Sequence, residues 1–111
     1  MGIKNEIESK YDDFKKLCIE NKVKSLYAFG SSITSGYDPD SSDIDLLVEI
    51  DEPDPMARGE KLITLWDKFE SFFNKKIDLL TESSLRNPIL KENIERTKIL
   101  IYDGTGQKIF S

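Results

Sequence analysis

The chain has 111 residues, 16 Lys+Arg against 21 Asp+Glu for a formal net charge of −5, no histidine and one cysteine. That length is one domain able to bury a core without disulfides, and the acidic balance argues against a broad nucleic-acid-binding face. Without histidine there is no Ser-His-Asp or Cys-His nucleophile system and no His-ligated zinc, so any catalysis must run on carboxylates, hydroxyls, Lys, Arg and bound metal.

Ile3, Ile7, Tyr11, Phe14 and Cys18 step by three and four, one face of a helix over 3–20, with Cys18 as a small core residue. Val23–Phe29 is a short β-type run ending at Gly30, and Ser31–Ser35 suits a brief helical turn before Gly36. Tyr37–Ser42 reads as a loop. Asp43–Ile50 alternates, with Ile44, Leu46, Val48 and Ile50 on one face and Asp43, Asp45, Leu47 and Glu49 on the other.

Asp54-Pro55 is an N-cap followed by Pro at the first helical position. The helix that follows runs to about Asn74, with Leu62, Ile63, Trp66, Phe69 and Phe73 as its apolar stripe. Leu65 and Phe72 fall off that stripe and are expected at the surface, as contacts for a partner. Lys76–Thr81 is a further strand with Asp78 inside the run Ile77-Asp78-Leu79-Leu80. Asn87-Pro88 repeats the cap signal for a helix through Arg96, and Lys98–Tyr102 is a last strand that can turn back through Lys108–Phe110.

The expected architecture is α/β or α+β, helices against one small sheet, in a single domain 1–111 with an N-terminal helix 3–20, a core 23–102 and a tail 103–111. The longest apolar runs, Leu26–Phe29 and Ile99–Tyr102, are too short for a membrane span, and the start shows no targeting segment. A cytoplasmic protein is expected.

Three features converge on chemistry. Gly30-Ser31 closes a strand where a helical turn begins, and free N–H groups there favour phosphate. Asp43 and Asp45, two apart in a strand, project from one face and repel unless a cation lies between them. Asp78 is an acid where a strand interior avoids one. Together they suit two Mg²⁺ ions that orient a nucleoside triphosphate, with Asp43 and Asp45 bridging both metals. Asp78 would hold the metal beside the attacking hydroxyl and accept its proton. Ser31 is a phosphate contact rather than a nucleophile, because no base activates it. Glu49, Asp38, Asp40, Asp51, Glu52 and Asp54 read as solvated charge.

Phe29-Gly30-Ser31, Ser42-Asp43-Ile44-Asp45-Leu46-Leu47-Val48, Lys76-Ile77-Asp78-Leu79-Leu80 and Asn93–Tyr102 resemble the minimal nucleotidyltransferase domain of the DNA polymerase β superfamily. The resemblance runs from about Val23 to Tyr102. It implies a small mixed sheet flanked by helices, a two-metal Mg²⁺ site at Asp43, Asp45 and Asp78, nucleotide binding at Gly30 and Ser31, and ATP as substrate. Many stand-alone relatives are antitoxins paired with a helical HEPN-domain toxin, and some transfer AMP onto a toxin tyrosine. The expectation is therefore adenylyl transfer to a HEPN-type partner. The alternatives are a binding module that acts by complex formation and a small-molecule nucleotidyltransferase of the aminoglycoside-modifying kind. Relatives often carry Arg just after Gly-Ser. Here the run is Ser32-Ile33-Thr34-Ser35-Gly36, and no Lys or Arg occurs between Lys24 and Arg58.

Overall fold

A computed structural model describes residues 2–30, 43–104 and 108–109. In chain order they form α1 (Gly2–Ser9), α2 (Tyr11–Glu20), β1 (Val23–Phe29), β2 (Ile44–Ile50), α3 (Pro55–Phe73), β3 (Ile77–Leu80), a 3₁₀ turn at Glu82–Ser84, α4 (Pro88–Thr97), β4 (Ile99–Asp103) and β5 (Lys108–Ile109). The strands make one mixed sheet in the order β3-β2-β1-β4-β5. β1 runs antiparallel to both β2 and β4, and β2 runs parallel to β3. A parallel pair needs a long crossover, and α3 is that crossover. The fold is mixed α+β, as the sequence led us to expect.

Period-two alternation decides which sheet face each side chain meets. Ile44, Leu46, Val48 and Ile50 of β2, with Leu26 and Ala28 of β1 and Ile77 and Leu79 of β3, bury against the helices α1 to α3. Phe14 of α2 stacks on Phe69 of α3 with ring centroids 5.8 Å apart and meets Phe72 at 5.6 Å. Cys18 is a buried core thiol, and burial pushes its pKa up. The opposite face carries a smaller cluster, Phe29 and Leu47 beneath Ile94 of α4.

The caps follow the sequence signals. Asp54 accepts from the Met56 and Ala57 N–H groups at the start of α3, and Asn87 from Ile89 and Leu90 at the start of α4. Asn74 closes α3 in the left-handed conformation, φ 53°.

Three expectations need correction. The N-terminal helix is two helices, broken at Lys10 (φ −134°). Ser9 Oγ donates to the Glu6 carbonyl at 2.9 Å, a side-chain bond that competes with the helical ladder. Asp12 and Asp13 then favour a fresh helix N-terminus. On α3, Leu65 is fully buried and Ile63 is 71% exposed, the reverse of the predicted assignment. At about 100° per residue, Leu62, Leu65, Trp66, Phe69, Phe72 and Phe73 form one arc with Phe69 at its centre, and Ile63 falls outside it. Phe72 packs against the core as well. Finally, Glu52 is not loose surface charge. Lys61 donates to it at 3.1 Å and Lys22 lies at 3.8 Å, which holds its carboxyl below the usual range.

Candidate active site

The acids of interest lie on the α4 face, near the starting ends of β2 and β3. Asp45 and Asp78 are Cα partners in the parallel ladder. Ile44 and Leu46 flank Asp45, Ile77 and Leu79 flank Asp78, and all four enter the main core, so alternation turns both carboxylates the other way. Asp43, just before β2, is exposed on the same side.

Gly30 completes the corner. Phe29 is the β1 partner of Asp45, which brings the next residue to the level of the acids. Gly30 adopts φ +66°, and a Cβ built on it would lie 2.5 Å from Asp45 Oδ2. Glycine is required here twice over, for the backbone angle and for the space.

Burial, then the charge of Asp78, then that of Asp43, raises the Asp45 pKa above the ordinary carboxylate value. Asp45 therefore feels the negative charge of both neighbouring carboxylates. Their donor set is all carboxylate oxygen, which suits a hard divalent cation such as Mg²⁺. In their present rotamers they do not close on a common point, and no group of three His, Cys, Asp or Glu among the described residues does. The donor chemistry fits the ion; side-chain rotation has to supply the convergence.

The same face continues from Asp45 through Leu47 and Glu49 into a cleft of about 270 Å³ under α4, lined also by Tyr27, Lys91 and Lys98. Lys98 Nζ sits 4.1 Å from the Tyr27 ring centroid and 3.0 Å from Glu95. Two nearby cations are already engaged: Lys75 is held by Glu6 at 2.8 Å and Arg96 donates to Asn93 at 2.7 Å. Lys98, which sequence reasoning passed over, lines the cleft instead. Its ring partner Tyr27 lies on the non-core face of β1 and pairs in the ladder with Leu100, so the contact is a product of tertiary packing and left no signal in the sequence. Gly30, Asp43, Asp45 and Asp78 are thus brought together. Ser31, together with the helical turn and loop expected over 31–42, lies outside the described residues.

Residues 12–101 match the family model of the nucleotidyltransferase domain. The chain is 39% identical over 80 residues to the "Putative protein adenylyltransferase MJ1379" of Methanocaldococcus jannaschii, covering 72% of this chain and 78% of that protein. A solved toxin-antitoxin structure with AMP-PNP is similar at a TM-score of 0.56 and 25% identity, over 86% of this chain and 74% of the matched one. A structure of a tri-AMPylated Shewanella oneidensis HEPN toxin in complex with MNT antitoxin is similar in fold. Its TM-score is 0.54 at 24% identity, over 96% of this chain and 76% of the matched one. Among the described residues, no helix is long and apolar enough to cross a membrane.

Proposed function

The chain belongs to the nucleotidyltransferase domain family, and from that premise we propose that it transfers AMP from ATP to a tyrosine hydroxyl of a helical HEPN-type toxin, serving as its antitoxin. The observation that carries this reading is the pairing of Asp45 with Asp78 on adjacent parallel strands, with Asp43 on the same side and Gly30 against the Asp45 carboxylate. The description of the archaeal relative as a protein adenylyltransferase supports a protein acceptor, and the AMP-PNP of the similar toxin-antitoxin structure supports a nucleoside triphosphate.

Asp43, Asp45 and Asp78 would hold Mg²⁺, which when bound neutralises triphosphate charge and eases deprotonation of the attacking hydroxyl. The acceptor oxygen attacks the α-phosphorus, the bond from that phosphorus to the β-phosphate oxygen breaks, and pyrophosphate leaves. Asp78, the exposed member of the strand pair, takes the phenolic proton. Gly30 lets backbone approach the phosphates with no Cβ in the way, and Ser31 adds its N–H and hydroxyl.

The test is mass spectrometry of the neighbouring gene's HEPN-type product after incubation with ATP, Mg²⁺ and either the wild-type protein or Asp78→Asn. We expect the mass of an adenylyl group only with wild type. One observation favours a second reading: with no Lys or Arg between Lys24 and Arg58, triphosphate has few protein cations to meet it, as in an antitoxin that acts by binding alone. If both proteins neutralise the toxin equally and neither modifies it, that reading replaces transfer.

A further inference from the structure

β3 is four residues long and lies at the edge of the sheet, paired among the described residues only with β2. A short one-sided strand frays easily, yet it carries Asp78. The backbone of Ile77, one residue before Asp78, is gripped from outside the sheet. The Ile77 N–H donates to Glu70 Oε2 at 3.2 Å, and the Ile77 carbonyl accepts from Trp66 Nε1 at 2.8 Å. Both side chains come from α3, one helical turn apart, so they form a two-point clip.

The geometry explains why these groups need a clip. The Lys76 carbonyl faces β2 and accepts from the Ile44 N–H at 3.1 Å. The planar peptide turns the Ile77 N–H the opposite way, toward the open edge. Glu70 and Trp66 therefore satisfy the Ile77 donor and acceptor that the ladder leaves over, at the residue where β3 enters its register with β2. That register, Ile44 with Ile77 and Asp45 with Asp78, sets the spacing of the two acids.

We propose that Trp66 and Glu70 are positioning residues for the active site, holding β3 in the register that keeps Asp78 beside Asp45. The proposal rests on the reading above, in which Asp78 works together with Asp45. It assigns Trp66 a role beyond packing: its ring lies against the core while its N–H is committed to β3. It assigns Glu70 a role as hydrogen-bond acceptor, one that its charge does not carry.

The test compares Glu70→Leu, Glu70→Gln, Trp66→Phe and Asp78→Asn with wild type, by Mn²⁺ calorimetry, by hydrogen exchange of the Ile77 amide and by thermal melting. Outer-sphere supports of this kind typically change metal affinity by about 10- to 100-fold when removed. We expect a loss of that order in Glu70→Leu and Trp66→Phe, faster exchange at Ile77 in Glu70→Leu, and near wild-type values in Glu70→Gln, which keeps the acceptor. If Glu70→Leu exchanges faster and melts lower but binds Mn²⁺ as wild type does, while Asp78→Asn does not bind, the clip is structural only and the proposal is overturned. If Glu70→Gln fails as badly as Glu70→Leu, charge rather than acceptance is at work, and the proposal is again overturned. If Asp78→Asn itself binds Mn²⁺ as wild type does, the assignment of Asp78 has failed first and the clip has no acid to position.

Discussion

Gly30 and Asp45 meet so closely that a single added carbon on Gly30 would lie 2.5 Å from the Asp45 carboxylate oxygen. The end of one strand is thereby shaped by the first acid of the next. Gly30→Ala should destabilise the fold by about 1–3 kcal/mol through its left-handed backbone alone, and by more through displacement of Asp45. The two effects separate in a cycle. In an Asp45→Ala background the carboxylate is gone, so Gly30→Ala should cost measurably less than in wild type. Denaturant melts of the four proteins give the coupling, and strict additivity would rule out the contact.

The raised pKa of Asp45 has a signed consequence for stability without metal. Asp45 keeps its proton to higher pH in the folded chain than in the unfolded one. The folded state therefore binds more protons between the ordinary aspartate value and the raised one, and stability falls as pH climbs through that window. Asp45→Asn cannot titrate. Its stability relative to wild type should shift in its favour with rising pH across the window, then level off. Urea melts in chelator at stepped pH measure this, and a difference that moves the other way refutes the shift.

The two faces of α3 differ sharply in what a truncation should do. Leu65→Ala removes a fully buried side chain and should destabilise by about 2–5 kcal/mol. Ile63→Ala, 71% exposed, should stay within about 0.5 kcal/mol of wild type. Equal losses at the two positions would mean that the helix is rotated from the orientation described.

Much of this site was legible in the residues alone. Strand periodicity put Asp43 and Asp45 on one face and Ile44 and Leu46 on the other, because side-chain direction in a strand depends only on counting by two. Asp54-Pro55 and Asn87-Pro88 marked helix starts because capping is local chemistry between neighbours in sequence. Asp78 stood out as an acid within an apolar strand. Helix faces were harder to read: Ile63 and Leu65 are both apolar, and their burial is decided by how α3 rotates to fit Phe14 and the sheet, which no window of α3 contains. Tertiary structure also decided the strand order. The parallel pairing of β2 with β3 sets Asp45 beside Asp78 across 33 positions of sequence, and Gly30 meets Asp45 only because β1 lies antiparallel to β2. The clip on Ile77 belongs to the same class. Trp66 and Glu70 read as helix residues of no special chemistry until β3 is laid along α3, where the edge strand leaves the Ile77 N–H and carbonyl to be satisfied from outside the sheet.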